Sequence, residues 1–173
     1  VIDGVDVSRA SDGRLAEMRN ANIGFVFQSF NLLGKFNVLE NVELPMIYSG
    51  VSKKERRARA IASVERVGLM DRAKNTRLQL SGGLMQRVAI ARALVNDPKI
   101  VFADEPTGNL DSNTGASIRR LFRELSEQGR TIVLVTHDNE IADNAPRRIE
   151  IRDGKIVNRA AGIQSGIREK SGV

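Results

Sequence analysis

An α/β fold with a parallel core sheet is predicted by three observations. Three apolar runs, Ile23 to Phe27 (IGFVF), Ile100 to Ala103 (IVFA) and Thr131 to Thr136 (TIVLVT), have the length and composition of buried strands. Helix-period segments lie between them, and strands alternating with helices build parallel sheets. Each run also gives way at once to polar residues: Gln28, the pair Asp104-Glu105, and His137. Ligands of such sheets bind outside the carboxyl ends of the strands, so these positions form a first candidate site.

Val1 to Val7 (VIDGVDV) alternates around Gly4 as the end of an antiparallel hairpin would. Ser11 or Asp12 can cap a short helix through Arg19, after which IGFVF forms the first core strand. VLENVELPMIY, from Val38, is helical in pattern, with Pro45 bending or restarting it. Ser52 and Glu55 form a capping box for a helix that turns Ala58, Ile61, Ala62 and Val64 inward and stops near Gly68. A mostly helical insertion is therefore expected between about Asn31 and Arg77.

Ser81 starts a central helix on which Leu84, Val88, Ala91 and Val95 make one apolar stripe. Pro98 closes it ahead of the second strand. Ile118, Leu121, Phe122 and Leu125 mark a further amphipathic helix, with Gly129 as its stop. After the third strand, Arg148 to Ile151 and Lys155 to Val157 form a hairpin around Asp153-Gly154. The tail from Ala160 to Val173 lacks periodicity and is expected to fray.

A chain of 173 residues, 41% hydrophobic and 28% charged, suits one soluble domain with a sizeable core. With no cysteine, disulfides and thiolate metal sites are excluded, and a reducing, cytoplasmic setting is permitted. No apolar run approaches the roughly 20 residues that span a bilayer, and no signal peptide is visible. The chain begins in a strand-like segment without methionine, which is expected of a fragment. A net charge of +6 suits an anionic partner. The cations are scattered, however, and the run from Lys53 (KKERRARA) reads as a solvated helix face. With aromatics at 4%, nucleic acid is not an expected partner.

The strand-end residues have definite chemical capacities. Asp104 after a buried strand needs a partner, either a structural arginine or a Mg²⁺ ion, which binds few carboxylates and keeps waters and phosphate oxygens. Glu105 can accept a proton from an attacking water, a role worth about 10²–10⁴-fold in rate. Ser81-Gly82-Gly83 opens a helix whose positive end and bare backbone suit a phosphate. Each feature also has a plain structural reading. His137 is the sole histidine, so no histidine metal cluster exists.

Taken in order, LSGG followed by QRVAIARAL, IVFADE, the segment Asn109 to Asp111, VTHD around His137, and FVFQ ending in Gln28 resemble the nucleotide-binding subunit of an ATP-binding cassette (ABC) transporter. IGFVFQSFNLL, ENVELPMIY and ADEPTGNLDS resemble the branch serving macrolide exporters and lipoprotein-releasing complexes. The resemblance implies a P-loop NTPase-type parallel sheet with a helical signature subdomain at about residues 31–95, inside a partial domain spanning 1–159. It implies ATP and Mg²⁺ as cofactors. Glu105 would be the catalytic base, and His137 would contact the γ-phosphate. Asp104 and Gln28 would serve the metal, and Gln28, Ser81, Gly82, Gly83 and Asp111 the nucleotide. Implied partners are a second nucleotide-binding domain, head to tail, and a membrane permease that holds the subunit on the inner face of the membrane.

Two departures qualify this picture. No G-x-x-x-x-G-K-[ST] phosphate loop occurs, because Gly34-Lys35 leads into Phe36 and Gly154-Lys155 into Ile156. The amino-terminal strands and that loop are expected upstream of Val1, and without them the chain should hydrolyse ATP poorly. Leu84 stands where the family usually has glutamine, and Met85 is also more apolar than usual. The alternative is a catalytically deficient module that offers its signature face to another ATPase subunit. A soluble cassette in translation or DNA repair fits less well, since neither a second cassette nor a coiled coil is present.

Overall fold

The computed structural model describes residues 6–8 and 10–161, with the side chains of residues 140 and 159–161 set aside. The hairpin expected at Val1 to Val7 and most of the expected tail lie outside that range. The chain divides into two compact units, Val1–Val135 and Thr136–Val173.

In the first unit, helix α1 (Asp12–Asn22) is capped by Ser11, whose hydroxyl accepts the Arg14 amide. It runs into β1 (Ile23–Phe27), and β2 (Ile100–Asp104) and β3 (Thr131–Val135) complete a parallel sheet in the order β1-β2-β3. The register pairs Phe27 with Asp104 and Asp104 with Val135, so all three strands end level.

One sheet face is buried. Val26, Val101 and Ala103 are fully inaccessible, and Ile132 and Leu134 pack against the same core. The other face is not, contrary to the expectation of strands buried on both sides. Phe25 and Phe27 are 42% and 37% exposed and stack with centroids 6.0 Å apart, while Phe102 stacks on Phe25 at 5.8 Å. IGFVF carries enough hydrophobicity for both faces, but the described residues supply a cover for one only.

Between β1 and β2 the chain is helical: α2 (Val38–Tyr48), α3 (Lys53–Arg66) and α4 (Gly82–Leu94), with short 3₁₀ turns at Met70–Arg72 and Arg77–Gln79. Asn37 and Glu40 close a full capping box on α2, which continues through Pro45 as one helix. Asn41, 2% exposed, organises the preceding loop. Its Oδ1 accepts the Leu33 amide, and its Nδ2 donates to the carbonyls of Leu33, Phe36 and Asn37.

Helix α3 differs from expectation in two respects. Ser52 caps the Glu55 amide, but Glu55 turns its carboxylate to Arg59 instead of completing the box. The buried stripe is Ala60, Ser63, Val64 and Val67; Ala58, Ile61 and Ala62 face solvent. The buried face is rotated because Ser63, though polar, is an interior residue whose hydroxyl donates to the Ala91 carbonyl at 2.7 Å. Helix α4 is buried nearly all round, with Val88, Ala89, Ile90 and Ala91 at zero exposure. Helix α5 (Ser112–Glu127) buries Ile118, Leu121, Phe122 and Leu125 as the periodicity predicts.

The second unit holds α6 (Asn139–Asp143) and the antiparallel pair β4 (Arg147–Arg152) and β5 (Lys155–Ala161). Asp153 and Gly154, both left-handed at φ 49° and 71°, make the turn. Strand β5 continues into the segment expected to fray. Arg148 ties the hairpin to α6 through Asp143 and Asn139. No helix among the described residues is long and apolar enough to cross a membrane.

Candidate functional site

The level strand ends put Phe27 beside Asp104, so Gln28 and Glu105 each follow at the carboxyl edge of the sheet. The Asp104 side chain is exposed, so the desolvation penalty that called for a compensating partner does not arise. Glu105 is half-buried, and its amide extends the sheet by bonding the Val135 carbonyl at 2.9 Å. Its φ of 44° is left-handed, a conformation costly for a non-glycine residue and concentrated at functional sites.

The chain then folds back on itself. The Gly108 amide returns to the Glu105 carbonyl at 3.1 Å, Leu110 bonds Thr107, and Asp111 becomes the N-cap of α5. Hydrogen bonds from the Thr114 hydroxyl and amide hold the Asp111 carboxyl below its ordinary pKa. Asp111 thus serves its own helix here. Asn109 meets Gln28: Gln28 Nε2 donates to Asn109 Oδ1, and Asn109 Nδ2 donates to the Gln28 carbonyl, each at 3.2 Å. Gly108 makes room for this pair, since a Cβ there would lie 2.7 Å from Gln28 Nε2.

The segment Ser81-Gly82-Gly83 begins α4, with Ser81 as its cap, over a weak 3.5 Å contact from the Leu84 amide. Gly83 has a packing reason to lack a side chain. A Cβ would fall 2.2 Å from the Thr114 methyl group, so the starts of α4 and α5 touch at this glycine. An open depression bordered by Ser81, Gly83, Arg87, Thr114 and Ser117 lies along this contact. Leu84 and Met85, the unusual residues, pack against the hydrophobic core.

Further residues support the site without any local sequence signal. Gln86 is fully buried and donates to the Pro106 carbonyl at 2.7 Å, joining α4 to the turn after Glu105. Arg87 donates to the Val67 carbonyl and to Ser117 Oγ. Arg92 donates to the carbonyls of Phe30 and Asn31. His137 belongs to the second unit. It is exposed, follows β3 by two positions in the chain, and precedes Asp138, whose carboxylate accepts the Ile141 amide at the start of α6.

This order of turns, caps and strand ends can be set beside known proteins. Residues 1–108 match the ABC transporter family. The chain belongs to that family. It is 58% identical over 156 residues to an ABC transporter ATP-binding protein of Thermotoga maritima, covering 90% of this chain and 67% of the relative. It is 46% identical over 168 residues to the macrolide export ATP-binding/permease protein MacB of Hyphomonas neptunium, of which it spans 26%. Among solved structures, the ATP-binding cassette MJ0796, a dimer in a post-hydrolysis state bound to ADP and Pi, superposes with a TM-score of 0.80 at 44% identity. That match covers 92% of this chain and 71% of the other.

An ABC cassette implies ATP and Mg²⁺. The exposed Asp104 carboxylate and the Gln28 amide at the same edge of the sheet fit a hydrated Mg²⁺ that draws its remaining ligands from water and phosphate. No group of three or more His, Cys, Asp or Glu among the described residues could hold a metal alone.

Proposed function

We propose that this cassette is the ATP-binding and ATP-hydrolysing part of a transporter of the export or lipoprotein-release type. The observation that supports this best is the β1–β2 register, which pairs Phe27 with Asp104 and so brings Gln28 and the left-handed Glu105 out together at the carboxyl ends of the strands. Glu105 accepts the proton of the attacking water. Asp104, with Gln28, would hold the metal, and His137 would donate toward the terminal phosphate. Bound Mg²⁺ neutralises charge on the phosphates during transfer.

Ser81, Gly82 and Gly83 offer a helix start to the nucleotide of a second copy, head to tail. Asp111 fixes the turn that faces that copy. The helical segment of about 31–95, within a cassette spanning 1–159, docks on a permease, which holds the assembly at the inner face of the membrane. The permease selects the cargo.

The phosphate loop is the missing component: none occurs in these 173 residues. The test joins a segment bearing G-x-x-x-x-G-K-[ST] upstream of Val1 and compares ATP turnover with the same protein carrying Glu105→Gln. Turnover should fall by about 10²-fold or more, and equal turnover would refute the assignment of Glu105. Calorimetry on the 173-residue chain addresses the alternative of a non-catalytic partner module: micromolar ATP binding there would rule out the loss of its own nucleotide site on which that alternative rests.

A further inference from the structure

The turn after Gln28 is held in an unfavourable shape. Phe30 and Asn31 both have left-handed backbones, at φ 61° and 49°, and a bulky aromatic in that region is rare. Two features of α4 hold them there. The Phe30 ring is buried over the start of the helix, with its Cζ 3.9 Å from where a Gly82 Cβ would sit. Further along the helix, Arg92 Nη1 donates to the Asn31 carbonyl at 2.5 Å and Nη2 to the Phe30 carbonyl at 2.8 Å. Burial lowers the Arg92 pKa, as expected of a guanidinium committed to carbonyls with no acid partner among the described residues.

We propose that Arg92 is a positioning residue that fixes Gln28 by clamping Phe30 and Asn31 in their left-handed conformations from the signature helix. The planar fork of arginine meets two adjacent carbonyls with two separate nitrogens in fixed geometry, whereas a lysine would serve both from one ammonium on a flexible stem, with no fixed direction. The helix that begins at Ser81 is thereby tied to the carboxyl end of β1, and a shift of α4 moves Gln28. The importance of Gln28 rests on the ATPase reading above; the clamp itself does not.

The test uses the isotope-labelled 173-residue chain without nucleotide. With Arg92→Lys, amide exchange at Phe30, Asn31 and Leu33 should rise about tenfold or more. The Gln28 side-chain amide resonance should also shift. Arg87→Lys is the control, since Arg87 lies on the same helix and also bonds a backbone carbonyl, at Val67. It should leave Gln28 in place.

Asn31→Gly supplies a second test, because glycine takes the left-handed conformation without strain. In that background the effect of Arg92→Lys should shrink. If Arg92→Lys alone does not fold, recovery of the folded spectrum in the double variant supports the clamp, and no recovery overturns it. Exchange changing by less than about twofold, an equal response to Arg87→Lys, or simple additivity of the two substitutions would each overturn it. None of these readouts requires ATP, so their failure and that of the Glu105 comparison are separable.

Discussion

Gln28 and Asn109, eighty-one residues apart, exchange two hydrogen bonds of 3.2 Å, one from each side-chain amide. The residue proposed to serve the metal is thereby tied to the turn proposed to face a second cassette. Asn109→Ala should free Gln28 while leaving stability nearly unchanged, since both side chains are exposed. In the protein carrying a phosphate loop, turnover should drop about tenfold or more. Gly108→Ala should do the same by pushing Gln28 aside. Unaltered turnover in both variants would show that the pair has no part in the reaction.

Gly83→Ala tests the contact between α4 and α5. The added methyl meets the Thr114 methyl group, and overpacking of this kind costs about 1–3 kcal/mol. Adding Thr114→Ser removes the opposing methyl and keeps the hydroxyl that donates to the Asp111 carboxylate, so urea midpoints should recover in the double variant. Absence of recovery would place the strain elsewhere.

The Asp111 carboxyl has a lowered pKa in the folded protein. Its contribution to stability is therefore present above the unfolded value, about 3.9, and is lost as pH falls through the folded one. Asp111→Asn keeps a capping oxygen but no titrating group. Its unfolding free energy should depend less on pH below about 4 than that of the unaltered chain, in denaturant titrations at graded pH.

Asn41→Leu removes four hydrogen bonds inside the protein and leaves the Leu33 amide without its acceptor. A loss of about 3 kcal/mol is expected in chemical denaturation. Exchange at Leu33 should increase even where the rest of the helical segment stays protected.

Much of the framework was legible locally. IGFVF and VLENVELPMIY are elements with the bounds that their composition suggests, and the α5 stripe follows its period. Gln28 and Asp104 reach the same edge of the sheet because parallel strands of equal length end level. The α3 face is not legible locally because its interior includes a serine, whose partner on α4 is remote in sequence. Clamps such as Arg92 on Phe30 and Asn31, or Gln86 on Pro106, leave no trace in periodicity. They join single polar groups across long separations, and only the packed structure decides which carbonyl each reaches. Sequence alone also gives no sign that a side chain at Gly83 would meet the Thr114 methyl group, a contact that only the packing of α4 against α5 creates.

The stacked rings of Phe25, Phe27 and Phe102 have a calorimetric consequence. Unfolding adds less apolar surface to water where that surface is already wet, so the heat-capacity increment of this chain should fall below the value usual for its length. An element that covered the rings would raise the increment and steepen the response to denaturant, without altering any residue of the site.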